Sequence, residues 1–263
     1  MSSGFDNTGE ITVWSDFTGI LNDVAWGTGT LVAPLAEGIG FTSDDEGSFA
    51  STVDEPGGIL AITTDVGDND SAVLFAGPFK ASDGGMWTEA RFKYSNVDVA
   101  VMFGFQETVS LTAPVMGLEY ATTTMTYGNV GNVVGFNYDV DGTTDDWRAA
   151  AGDGQAAVAG SGNGTRANAT VTADRWVTAR VEVFPDGTAE CYLSDVGHAD
   201  TNGIPQMRLI KRFAGTNASN GTTGLNPDDL MYAILMVENR SANARVLEVD
   251  YFFGEGQRDW RCS

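Results

Sequence analysis

Between Leu230 and Phe253 the chain reads LMYAILMVENRSANARVLEVDYFF, and few folds accept such a stretch. Two apolar runs, rich in β-branched and aromatic residues, flank a polar connection from Glu238 to Asn243 of the kind that closes a hairpin. The expectation is two adjacent antiparallel strands. In the first, Met231, Ala233, Leu235 and Val237 alternate with Tyr232, Ile234 and Met236. Successive strand residues face opposite ways, so both faces are apolar and both need cover. In the second, Leu247, Val249, Tyr251 and Phe253 alternate with Val246, Glu248, Asp250 and Phe252, which sets an apolar face against a mixed one. Such strands imply a sheet packed on a sheet.

The rest of the composition points the same way. There are 33 glycines, many Thr, Val, Asp and Asn, and only three lysines (Lys80, Lys93 and Lys211), which favours short strands and turns over helices. Against 14 basic side chains stand 36 acidic ones, a formal charge of −22. A surface of that sign repels phosphate backbones and anionic lipid, so neither nucleic acid nor membrane is an expected partner. The first ten residues, MSSGFDNTGE, have neither the basic nor the apolar region of a signal peptide. The expectation is a soluble product of cytoplasmic synthesis, not secreted by such a peptide. A bond between Cys191 and Cys262 is then disfavoured.

Further strands are expected at 11–17, 58–64, 71–76, 86–94, 97–106, 132–140, 175–184, 188–194 and 207–213. The runs 58–64 and 71–76 read as a hairpin with an acidic loop, and 86–94 with 97–106 as two strands of one sheet. Pro185-Asp186-Gly187 supplies a tight turn between Arg175–Phe184 and Thr188–Ser194. The domain reading is an N-terminal arm over 1–10, one sandwich over 11–253 with a Gly/Ala-rich surface excursion at 139–168, and a C-terminal tail over 254–263. No tandem repeat or heptad is visible.

The Arg175-Trp176-x-x-x-Arg180 strand, the Pro-Asp-Gly turn and the strand after it resemble a hairpin of concanavalin A-like jelly rolls. The order of Gly58–Ala76, Trp87–Gln106 and Met231–Phe253, ending Val249-Asp250-Tyr251, is similar to that in jelly-roll structural proteins of tailed bacteriophages. The resemblance implies an all-β, two-sheet antiparallel sandwich with a concave face. It also implies a non-catalytic virion protein, a capsid decoration or cement subunit whose partners are the capsid shell and copies of itself. The alternative is a carbohydrate-binding module of a fibre or adhesin, with glycans as partners. A glycoside hydrolase comes last. Laminarinase-type relatives carry Glu-x-Asp-x-Glu or Glu-x-Asp-x-x-Glu, and a retaining mechanism needs two carboxyl groups about 5 to 5.5 Å apart. Here Glu248 and Asp250 are followed by Phe252 and Phe253 where the second glutamate belongs.

Two acidic loops are candidates for calcium, which takes oxygen ligands from carboxylates and carbonyls. One holds Asp65, Asp68, Asn69 and Asp70, the other Asp139, Asp141, Asp145 and Asp146. Trp147 is the candidate for stacking on a sugar ring, and Arg258, Trp260 and Arg261 form a basic, aromatic docking patch in an acidic chain. His198 has no second histidine or cysteine nearby to complete a metal site. Since no segment carries a 3.6-residue period, far-ultraviolet circular dichroism should show a single β-type minimum and no helical pair of minima.

Overall fold

The computed structural model describes residues 10–15, 24–25, 38–44, 47–51, 58–194, 206–215 and 224–257. The first strands are β1 (Glu10–Ser15), β2 (Val24–Ala25), β3 (Ile39–Ser43), β4 (Ser48–Ser51) and β5 (Leu60–Thr63). Then come β6 (Ser71–Lys80), β7 (Met86–Tyr94), β8 (Val99–Gln106), β9 (Leu118–Ala121) and β10 (Thr124–Tyr127). The middle of the chain supplies β11 (Asn132–Asp139), β12 (Asp146–Asp153), β13 (Ala156–Ala157) and β14 (Thr165–Thr170). After these run β15 (Val177–Val183), β16 (Ala189–Ser194), β17 (Arg208–Phe213), β18 (Leu230–Asn239) and β19 (Val246–Gln257).

Two antiparallel sheets result. A nine-stranded sheet has the order β17-β16-β15-β7-β19-β5-β4-β2, with β1 also paired to β19. An eight-stranded sheet has the order β13-β12-β11-β8-β18-β6-β3, with β14 also paired to β12. The all-β sandwich expected from the sequence is therefore present. Arg175–Ser194 forms the expected hairpin, β15 on β16. Its turn is closed by Phe184 N–H to the Thr188 carbonyl at 2.8 Å and by Gly187 N–H to the Phe184 carbonyl at 2.9 Å. Gly187 sits at φ +77°, a conformation that side chains with a Cβ rarely adopt.

Three expected strand pairs are corrected. β18 and β19 lie in different sheets, as do β5 and β6, and β7 and β8. Their connections arch across the sandwich instead of turning back within a sheet. The reason is burial: Leu235 and Val237 of β18 and Leu247 and Val249 of β19 all belong to the inter-sheet core. Opposed sheets let those apolar rows meet, whereas a hairpin would lay them side by side. The arch at residues 240–245 keeps its polar character because it lies at the sandwich end.

The outer face of β18 is covered too. β9 and β10 pack across the eight-stranded sheet, placing Leu118, Tyr120 and Met125 in one cluster with Met102, Val133, Ile234 and Met236. Asn137 Oδ1 anchors this flap by accepting the Tyr120 N–H at 2.9 Å.

The excursion expected at 139–168 is corrected in part, since it contains all of β12 and the start of β14. Trp147, Ala149 and Ala151 face the core and Ala150 faces the flap. Alanine and glycine are too small to display a period of two in hydropathy, so a buried strand made of them reads as loop. Towards the C-terminal end β19 runs to Gln257 and takes up the first four residues of the expected tail.

Leu235, fully buried, stands between Phe103 of β8 and Leu74 of β6. Leu235→Ala should cost about 2 to 5 kcal/mol by removing core contacts and leaving a cavity. A urea midpoint lowered in proportion, with an unchanged slope, is the expected result.

Candidate functional site

Alternation along β7, β15 and β19 sends one set of side chains inward and the other to the outer face of the nine-stranded sheet. From β7 the outer set is Trp87, Glu89, Arg91 and Lys93, each half-buried between fully buried neighbours. Cross-strand register builds rows from it. Phe253, Glu89, Arg180 and Tyr192 form one row, while Tyr251, Arg91 and Thr178 form the next.

Rings and ions interleave on this face. Trp87 stacks on Phe253 with centroids 4.1 Å apart, and the Arg180 guanidinium lies 4.2 Å from the Trp87 ring centre. Trp176 carries Arg91 at 4.7 Å and Lys93 at 5.0 Å. Arg180 also bonds Glu182 at 2.6 Å, and the Tyr251 hydroxyl donates to Glu89 Oε1 at 2.6 Å. Burial, reinforced by that bond to Glu89, raises the Tyr251 phenol well above its ordinary range. The hydrogen bond to Glu190 is the main cause that pushes Tyr192 up to about 12. Both phenols therefore stay protonated donors at neutral pH. The face presents flat rings, planar guanidinium donors and carboxylate acceptors in one layer, the set of groups that engages both the C–H faces and the hydroxyls of a sugar.

Glu248 and Asp250 lie on this face, and each is held by a cation. Lys93 Nζ is 2.7 Å from Glu248, and Arg91 Nη1 is 2.6 Å from Asp250. A bulge between Val249 and Tyr251 lets Asp250 and Tyr251 both reach this surface.

The sugar-stacking role expected of Trp147 is corrected. Only 1% of its surface is exposed, and it packs in the core against Phe92, Tyr138 and Tyr94 with centroids 5.8, 5.9 and 6.5 Å away. It precedes a polar residue and follows an acidic loop, so its sequence surroundings are those of a surface ring, yet β12 turns it inward.

The two acidic loops do converge, but on a guanidinium. Arg240, in the arch between β18 and β19, donates from Nε and Nη2 to the two Asp139 carboxylate oxygens at 3.1 and 2.6 Å. It donates further to Asn69 Oδ1 at 2.9 Å, to Glu119 at 2.8 Å and to Glu238. All five N–H groups are used, and Asp141 stands 3.8 Å from Nε. Asp146 is spent as well, on Arg166 and on the Ala169 N–H, each at 2.9 Å. Among the described residues no three Asp, Glu, His or Cys side chains are placed to hold a metal ion. Asp65, Asp68, Asp70, Asp141 and Asp145 are not gathered with Asp139 into one ligand set among the described residues, and a cation at Asp139 would have to displace Arg240. Asn239 completes the junction, its backbone N–H bonding the Asp70 carbonyl and its side-chain amide the Asp65 carbonyl. Arg240 passes unnoticed in the sequence because it sits in what reads as a turn. The available signal is one basic residue flanked by Glu238 and facing two acidic loops. His198, Cys262 and the patch of Arg258, Trp260 and Arg261 lie outside the described residues, while Cys191 is buried and unbonded.

No family model matches the chain, and no curated protein does. Solved structures do. Protein SO2946 of Shewanella oneidensis MR-1, of unknown function, superposes with a TM-score of 0.58 at 12% identity, over 97% of this chain and 90% of its own. The carbohydrate recognition domain of Emp47p gives 0.50 at 13% identity, over 93% and 96%. An isoform of the Lotus tetragonolobus seed lectin gives 0.47 at 9% identity, over 90% and 100%. Identities this low establish a shared fold alone, the concanavalin A-like, lectin-type sandwich. Nothing in these comparisons points to a tailed phage.

Burial, opposed in part by Arg240 and aided by Glu119, Asp139 and Asp44, raises Glu238 from 4.5 to about 7. A carboxyl group raised on folding binds more protons in the native state, so its contribution to stability is full below about 4.5 and lost as pH rises through 7. Thermal melts should therefore show stability falling between pH 5 and 7.5. Glu238→Gln should flatten that fall and raise the midpoint at pH 8.

Proposed function

We propose that this chain is a non-catalytic carbohydrate-binding domain whose ligand lies on the outer face of the nine-stranded sheet. The observation that carries this reading is the layer of half-buried rings, Trp87, Trp176, Tyr192, Tyr251 and Phe253, set among planar Arg, Glu and Asp groups on one sheet face. A pyranose offers an apolar face and a rim of hydroxyls, and such a layer answers both. Across β19, β7, β15, β16 and β17 the face spans four strand spacings of about 4.8 Å, roughly 19 Å, enough for a short saccharide chain. The corresponding face of the other sheet is taken by β9 and β10. That a carbohydrate recognition domain shares the fold supports the reading by analogy only.

Glu248 and Asp250 act here as fixed acceptors, their cations oriented by the rings, and no step of sugar chemistry is assigned to them. The capsid-decoration reading rests on the sequence resemblance alone. It stands behind the glycan reading because the ring-and-ion face has a direct chemical use in binding sugar.

Trp176→Ala should weaken retention of the protein on immobilised polysaccharides by roughly fivefold to a hundredfold, the range for one lost stacking contact. The melting midpoint should move little, because Trp176 precedes β15 and lies outside the core. Retention equal to the wild type across a panel of neutral and acidic glycans would overturn the assignment of this face.

A further inference from the structure

Acids outnumber bases by 36 to 14, so a cation on this surface rarely lacks a carboxylate. Four of them do so among the described residues: Arg148, Arg175, Arg208 and Lys211. Arg148 and Lys211 border one loop, the one between β13 and β14, and Arg208 bonds β14 just after it.

Arg148, almost buried, lies 3.7 Å from the Tyr120 ring centre and donates to the Asn163 carbonyl at 3.2 Å. Arg208, at the start of β17, donates to the Ala167 carbonyl. Lys211, three residues further on, has the Phe213 ring as its partner among the described residues, 5.8 Å from Nζ. That ammonium also stands 3.9 Å from where a Cβ on Gly160 would be. Arg166, half exposed, adds a fourth cation and is paired with Asp146.

The loop contributes no negative charge. Residues 154–173 contain no Asp or Glu over 20 positions, whereas 36 acids in 263 residues place one in about every seven. The Gly162 and Asn163 carbonyls and the Ser161 hydroxyl are tied inward. Ser161 Oγ accepts the Ala151 N–H at 2.8 Å, and the Tyr127 hydroxyl donates to the Gly162 carbonyl at 2.6 Å. Gly160, Gly162 and Asn163 are exposed, and their N–H groups bond no described residue. Gly162 lies at φ +47° with nothing within 4 Å of a Cβ position. The seam where β17 meets this loop therefore offers donors and positive charge, in open space, on an otherwise anionic molecule. Groups of that kind answer an oxyanion.

We propose that this seam binds the sulfate or carboxylate group of an acidic glycan, so that a chain lying across the nine-stranded face meets its charged substituent at the β17 edge. This rests on the saccharide-binding reading above. Lys211 and Arg208 pair with the core-facing Cys191 and Leu193, so the seam lies at the sandwich edge where β17, the outermost strand of the ring-bearing sheet, meets β14, and a chain reaches it by passing over that edge.

The test is affinity electrophoresis of the full chain in gels containing dextran sulfate, neutral dextran or no polymer, with inorganic sulfate as competitor. Dextran sulfate should retard the wild type more than dextran does, and added salt should weaken the effect by screening. Lys211→Ala should reduce the affinity for dextran sulfate about tenfold, the scale of a lost charge-assisted bond, and leave that for neutral dextran unchanged. Lys211→Arg should restore most of it. Equal retardation by the two polymers, with loss only in Trp176→Ala, would overturn the seam while keeping the glycan face. Retardation by neither polymer, together with no retention on the wider glycan panel, would overturn both. Binding of inorganic sulfate with no preference for the polymer would assign the seam to a free anion and overturn the glycan source. Lys211-dependent self-association in sedimentation velocity, without polymer binding, would assign it to carboxylates of a second copy, with the same consequence.

Discussion

The sandwich is joined through aromatic contact between its inner faces. Phe92 and Tyr94 come from β7 of one sheet, while Phe103, Tyr138 and Trp147 come from β8, β11 and β12 of the other. Tyr94 and Tyr138 stack with centroids 6.0 Å apart, and Trp147 touches both and Phe92 as well. Rings bury more area per side chain than any aliphatic residue, and offset or edge contacts add to that burial. With the sheets held there, the outward residues of the eight-stranded sheet pack under the β9–β10 flap and those of the nine-stranded sheet are left to rings and charge.

Charge is the opposing constraint. A formal −22 repels itself, and each of the few cations relieves it according to its surroundings. Arg240 is the extreme case, since its side chain is 4% exposed and meets four carboxylates. Burial alone would make such a guanidinium costly, but five satisfied N–H groups and the surplus of acids hold it charged. It ties the arches at 64–71 and 239–246 and the end of β11 into one junction. The cations of the nine-stranded sheet are used differently, laid over rings in a half-exposed layer. At the β17 seam Arg208 and Lys211 meet no carboxylate among the described residues, which is uncommon in a molecule so acidic.

Period-two hydropathy made the strands, the all-β class and the buried character of β18 legible without coordinates, because burial of one face or two is a local property of a strand. The β15–β16 hairpin was legible for a related reason: a Pro-Asp-Gly turn is short enough to determine its own geometry. Trp147 shows the limit. A ring beside an acidic loop carries no mark of which way the strand will turn it, and the small residues after it hide the pattern that would have told.

What the chain alone determined is therefore the strands with a clear period of two, their faces and the sign of the surface. Which sheet each strand joins, and with it the meeting of Arg240 with two acidic loops 100 and 170 residues away, was decided by tertiary structure. The physical reason is that an apolar face must be covered but does not name its cover. A six-residue polar connection serves a hairpin or an arch equally well, and only the gain from opposing Leu235 and Val237 to Leu247 and Val249 across the core selects the arch.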